Sequence, residues 1–242
     1  MRTLLLALAV TLGMTACAPA QEPADRAEIE QIVREYILQN PEIIEEALIE
    51  LQRRARQREQ DAMLGAVTGS ADQLYGDARD PQVGADTPVI TIVEFFDYRC
   101  PYCTVANEWV QATLADHGDQ VRVVYKEFPI RGEQSTNAAR ASLAVWNVAP
   151  DSYEAFHNAL MNASGPLPDD RIDAFAVTAG VDVAAMRAEM DSEAITRQLA
   201  DVRTLAQSIG ITGTPFFIVG DTVIPGADID GLERAVNAAL AR

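Results

Sequence analysis

The run PVITIVEFFDYRCPYC, residues 88–103, constrains the fold more than any other stretch of the chain. Residues 88–96 are β-branched or aromatic and nearly all apolar, the composition of a strand buried on both faces. Helical spacing takes over from about Cys100 to His117, so the paired cysteines fall where a buried strand hands over to a helix. A helix N-terminus carries unpaired N–H groups and partial positive charge, which stabilises a thiolate and lowers its pKa. Cys100 is placed at the helix mouth, and Cys103 one turn further in and more buried.

Three uses of a Cys-x-x-Cys pair compete. A structural staple gains little, because closing so short a loop removes little entropy from the unfolded chain. A zinc site needs further ligands, and the remaining good ones, His117 and His157, stand at no ligand spacing and read as surface residues. A redox centre fits best: one thiolate attacks and its neighbour resolves the mixed disulfide.

The rest of the chain frames that centre. VRVVYKEF at 121–128, PFFIVG at 215–220 and TVIPG at 222–226 read as three further strands, with a last helix over about 229–240. A helical block runs between them from Ser135 to Gly210. It includes a stripe of Ile195, Leu199, Val202, Leu205, Ala206 and Ile209. Ahead of the first strand, residues 63–87 carry Gly, Asp, Ser and Pro without a period and read as a linker. Residues 26–62 form a helical segment with two apolar stripes, restarted at Asn40-Pro41-Glu42, with Asn40 suited to an N-cap. Such amphipathic helices must cover their stripes, either on the following domain or on copies of themselves.

At the N-terminus, Arg2 and the apolar run Leu4–Leu12 suit a secretory signal and are too short to span a bilayer. Cleavage after Ala20 fits the APA at 18–20. MTAC at 14–17 fits a lipoprotein signal over residues 1–16, with Cys17 acylated. Both routes remain open, and both imply export. The net charge of −17 opposes nucleic-acid binding, which demands a basic face.

VEFFDYRCPYC, YKEFPI and GITGTPFFIVGDTVIPGA together resemble the DsbA family of thiol–disulfide oxidoreductases, over about residues 84–240. The chain is most similar to exported members with an extra N-terminal helical segment, of the ScsC or Com1 type. The resemblance implies an α/β, thioredoxin-like fold, with a helical domain inserted at about 135–210 and amphipathic helices in front. It implies an accessible Cys100 as nucleophile, Cys103 as resolving thiol, and Pro101 and Tyr102 tuning the redox poise. It implies Pro215 as a cis-proline facing the pair, with the Thr214 backbone presented to an extended client peptide. Glu94 is expected as a buried acid relaying the Cys103 proton, with Lys126 as its partner or, equally, in a plain structural ion pair. Phe95, Phe96, Phe128, Phe216 and Phe217 are expected in the core or groove wall, and Trp109 and Trp146 in packing.

The implied partners are unfolded or misoxidised periplasmic proteins and a membrane redox partner of DsbB or DsbD type. Oligomerisation as a dimer or trimer is also implied. No cofactor is expected beyond a Cys100–Cys103 disulfide. The direction of reaction stays open between oxidase and isomerase or reductase, the helical segment favouring the latter. A holdase chaperone, or a copper-binding protein using the two cysteines as soft ligands, stands as the alternative.

Overall fold

The computed structural model describes residues 25–241. The chain divides into two compact units, Met1–Arg56 and Gln57–Arg242. The expected signal and Cys17 lie outside the described residues.

The first unit holds α1 (Arg26–Gln39) and the start of α2 (Glu42–Gly69), which runs on past Arg56. Asn40 closes α1 rather than capping α2: its side-chain Nδ2 and its backbone N–H both donate to the Tyr36 carbonyl. A C-terminal carbonyl otherwise without a partner thus outcompetes the N-cap role. No residue of α1 is buried. Ile32, Tyr36 and Leu38 are exposed, Leu38 to 74%, as are Leu48, Ile49 and Leu51 on α2.

The second unit contains α3 (Ala71–Tyr75), β1 (Gln82–Gly84), β2 (Ile90–Phe96), α4 (Pro101–His117) and β3 (Val121–Glu127). There follow α5 (Glu133–Val148), α6 (Tyr153–Met161), α7 (Asp169–Thr178), α8 (Val183–Met190) and α9 (Glu193–Ile209). The chain ends with β4 (Phe216–Val219), β5 (Thr222–Pro225) and α10 (Ile229–Leu240). The sheet order is β1-β3-β2-β4-β5, with β2 and β3 parallel and the other neighbours antiparallel. The parallel pair requires a crossover, and α4 supplies it.

Residues 63–87 are not a bare linker. They hold the end of α2, α3 and the edge strand β1, with Val67 and Leu74 buried. A few widely spaced apolar residues, Val67, Leu74 and Ala85 among them, anchor this stretch, and that is too sparse a pattern to register as a period.

Alternation along β2 divides the core between two faces of the sheet. Ile92 and Phe96 face one cluster, with residues of α4 to α8 and α10. Val93 and Phe95 face another, with Val67, Leu74 and the α9 residues Val202, Leu205, Ala206 and Ile209. The five phenylalanines singled out above are all buried. Trp109 packs edge-on against Phe217, and Trp146 against Tyr153.

The same alternation corrects one expectation. Glu94 pairs in register with Tyr125 and so shares its face, whereas Lys126 pairs with Phe95 and points to the other side. Lys126 instead forms a buried ion pair with Asp80 and donates to the Gln73 carbonyl. Gln198 completes this cluster by donating to Asp80 and to the Arg79 carbonyl. Lys126 therefore ties α3, the β1 approach and α9 to the sheet, and does not partner Glu94.

Candidate active site around Cys100 and Cys103

The turn from β2 into α4 is built by Asp97. Its backbone carbonyl accepts from the Cys100 N–H at 2.9 Å. Its carboxylate accepts from the N–H groups of Arg99 (2.7 Å), Ile130 (2.7 Å) and Arg131 (3.0 Å), and from the Ser135 hydroxyl (2.7 Å). One buried carboxylate thus fixes the cysteine turn to the loop after β3. Cys100 then stands at the N-cap in an extended conformation, and Pro101 takes the first helical position, where its missing N–H costs nothing.

Both cysteines are free thiols and both are buried, Cys100 to 2% exposure and Cys103 to 0%. The expected open exposure of Cys100 is not found: the Thr214 carbonyl covers its Sγ at 3.2 Å and accepts from it in the thiol form. Cys100 instead lines a groove of 360 Å³, walled also by Tyr98, Arg99, Thr104 and residues 162–165. Tyr102 is 67% exposed at the rim. The Thr214–Pro215 peptide bond is cis. Pro215 accepts from the Gly226 N–H through its carbonyl, tying the loop to the end of β5.

The two sulfurs are electrostatically unlike. A hydrogen bond from Cys103 is the largest influence holding the Cys100 thiol down, at about 5. Burial opposes it, and Thr214 and the N–H groups of Cys103 and Tyr102 assist. Burial pushes the Cys103 thiol far up, and Cys100 and Glu94 push it further. Glu94 is fully buried and its Oε1 has no hydrogen-bond partner. Burial raises its carboxyl to about 8, with the Cys100 charge adding to the rise. A thiol favoured in its anionic form, a thiol held protonated and a buried carboxyl raised to about 8 thus share one neighbourhood.

Sequence reasoning missed Asp97 and a second polar group behind the turn. Tyr98 Oη lies 2.7 Å from Ser142 Oγ and 2.9 Å from His157 Nδ1. His157 is buried, not a surface residue, and burial lowers it to about 3, so it is neutral. Glu127 is also fully buried and raised well above the carboxylate range by desolvation. No signal in the sequence set them apart: Glu127 follows Arg122 and Lys126 in VRVVYKEF, and His157 stands between Glu154 and Asn158 on α6. Among the described residues, no group of three or more His, Cys, Asp or Glu side chains is arranged to hold a metal ion.

A strand-to-helix Cys-x-x-Cys beneath a cis-proline loop defines a thioredoxin-like redox domain, and comparison with known proteins narrows the class. The family model described as DSBA-like thioredoxin domain matches residues 91–237, and the chain belongs to this family of thiol–disulfide oxidoreductases. The model described as Copper resistance protein ScsC N-terminal domain matches residues 25–58.

Among curated proteins, the chain is 30% identical over 171 residues to Disulfide bond formation protein D of Bacillus subtilis, covering 66% of this chain and 77% of that one. Among solved structures it is similar to a linker-deletion mutant of Proteus mirabilis ScsC, with a TM-score of 0.68 and 29% identity. That match covers 92% of this chain and 99% of the other. It is also similar to a thioredoxin-like oxidoreductase from Silicibacter pomeroyi, with a TM-score of 0.65 and 40% identity over 71% of this chain and 98% of that one.

Proposed function

We propose that this protein is an exported thiol–disulfide oxidoreductase that exchanges disulfides with client proteins through Cys100 and Cys103. The observation that carries the reading is the placement of the Cys100 sulfur at the mouth of α4, 3.2 Å from the Thr214 carbonyl. Helix N–H groups stabilise the thiolate there, and the neighbouring loop offers backbone to an extended peptide.

In the reducing direction the Cys100 thiolate attacks a client disulfide. A bond forms between Cys100 Sγ and one client sulfur, and the other client sulfur leaves as a thiolate. Cys103 then loses its proton to the Glu94 carboxylate and attacks Cys100 Sγ. The Cys100–Cys103 disulfide forms, the mixed disulfide breaks, and the client is reduced by two electrons. Once Cys100 is bound to the client it carries no charge, so one cause of the raised Glu94 carboxyl disappears. More of Glu94 is therefore ionised, and free to accept a proton, at the step that needs a base. Oxidation of a client runs these steps backwards, and a membrane partner of DsbB or DsbD type resets the pair.

Isomerase or reductase action is favoured by the first unit. Its exposed apolar stripes, including Ile32 and Tyr36 on α1 and Leu48 and Leu51 on α2, suit self-association, which sets several redox centres around shared clients. Oxidase action is the second reading, favoured by similarity to a protein named for disulfide bond formation. Export rests on the signal-like N-terminus and on the likeness to a Salmonella enterica protein described as periplasmic and thioredoxin-like. Lipid on Cys17 is part of the proposal that intact mass of the membrane-extracted protein tests.

Parallel assays sort the activities. Refolding of scrambled ribonuclease reports isomerase, oxidation of reduced ribonuclease reports oxidase, and insulin reduction reports reductase. Cys100→Ser should abolish all three. Aggregation suppression that survives loss of both cysteines, with no exchange activity in the parent, would favour a chaperone instead.

A further inference from the structure

We propose that protons reach and leave Glu94 through a polar seam between α4 and α6, with Tyr125 as its inner station and Gln111 and Asn158 at its mouth. The proposal rests on the reading of Glu94 as the base for Cys103. It addresses what that reading leaves open. A base sealed in the core must return its proton to solvent, and the Cys100 side of the site is occupied while a client is attached.

Tyr125 stands beside Glu94 in register on the same face of the sheet. Burial first, and then the charges of Glu94 and of the exposed Glu154, raise its hydroxyl, and the Gln111 side chain acts in the opposite sense. Gln111 Oε1 accepts from Asn158 Nδ2 at 3.1 Å, and Asn158 Oδ1 accepts from Asn107 Nδ2 at 3.0 Å. Gln111 and Asn158 are both partly exposed, so the seam opens at the surface. The surroundings are apolar, including Trp109, Val110, Phe156 and Leu160.

Four buried atoms in this neighbourhood have no hydrogen-bond partner: Glu94 Oε1, Tyr125 Oη, Gln111 Nε2 and Asn107 Oδ1. Buried polar atoms of native proteins are ordinarily satisfied by protein or by internal water. The acid's own oxygen and three such atoms beyond it, on residues leading to the surface, are the requirement of a short water-assisted relay. The amides orient water and do not ionise. The tyrosine hydroxyl donates one proton as it accepts another, so no net charge rests on it. The titratable groups facing the seam are Glu94 and Tyr125 from the sheet, Cys103 from α4, and Tyr153, Glu154 and His157 from α6.

Stopped-flow reaction of the reduced full chain with 5,5′-dithiobis(2-nitrobenzoate), in a Cys17→Ser background, tests this. Modification of Cys100 releases one thionitrobenzoate, and closure by Cys103 releases a second. Tyr125→Phe and Gln111→Leu should slow the second phase about tenfold or more, within the range of general-base effects, and leave the first unchanged. The solvent deuterium effect on the second phase should grow, and Gln111→Glu should restore the rate.

If Glu94→Gln slows the second phase while Tyr125→Phe and Gln111→Leu stay within twofold of the parent, the seam is refuted and the Glu94 reading stands. If Glu94→Gln has no effect, both fall together. Equal slowing of both phases in Gln111→Leu would mark the amides as packing and overturn the proposal. Gln111 is partly exposed, so its variants carry the test should Tyr125→Phe fail to fold.

Discussion

Replacing Cys103 with Ala should make Cys100 a weaker acid. The hydrogen bond from Cys103 is the largest contribution holding the Cys100 thiol at about 5. A hydrogen bond to a charged group contributes about 1.5–3 kcal/mol, and one pKa unit corresponds to about 1.36 kcal/mol. Cys103→Ala should therefore move the midpoint up by about 1–2 units, to between about 6 and 7. Cys103→Ser keeps a donor and should fall between parent and Ala. The assay is the pH dependence of iodoacetamide alkylation at Cys100 in the Cys17→Ser background, checked by thiolate absorbance near 240 nm. A parent midpoint in the ordinary thiol range would refute the helix-mouth argument outright. A Cys103→Ala midpoint still near 5 would assign the effect to the backbone N–H groups and Thr214 alone.

The sign for stability follows from the same shift. The folded pKa lies below the usual 9.0. The thiolate's contribution is fully present above pH 9 and is lost as pH falls towards 5. At pH 7 two units of it remain, about 2.7 kcal/mol. Urea unfolding of the reduced protein should lose that margin over Cys100→Ala between pH 7 and pH 5.

Lys126→Met strands Asp80 in the core and should cost about 3–5 kcal/mol in urea unfolding, while Cys100 alkylation keeps its midpoint. An unchanged unfolding midpoint would remove the structural role assigned to the pair. Asp97→Ala leaves three backbone donors and a hydroxyl without their acceptor; it should cost about 3 kcal/mol or more and shift the Cys100 midpoint as well. Unfolding and alkylation measured on one sample would separate the two effects, and a stable variant with normal alkylation counts against Asp97 as the brace. Ile32→Glu with Leu48→Glu should lower the mass found by sedimentation and suppress scrambled-ribonuclease refolding, with insulin reduction retained. A parent that sediments as a monomer would defeat that reading.

Much of the site was legible because its chemistry is local. Cys100, Pro101 and Cys103 follow directly from a strand run meeting a helix start, and the helix stop at Gly210 follows from the stripe before it. Glu94 could be placed in the core by its position in an apolar strand. Its expected partner could not, because whether Lys126 shares its face depends on strand register, which neither strand encodes alone. His157 illustrates the same limit: nothing on α6 announces that its ring meets Tyr98, Tyr125 and Tyr153 from other elements.

What the sequence determined by itself was the order of elements and the redox pair at a helix mouth, since propensity and periodicity act over a few residues. Tertiary structure alone decided that Thr214 covers Cys100, that Asp97 locks two loops together, and that residues 63–87 pack as part of the domain. These depend on groups far apart along the chain, and burial that strengthens or removes a charge exists only once those groups have met.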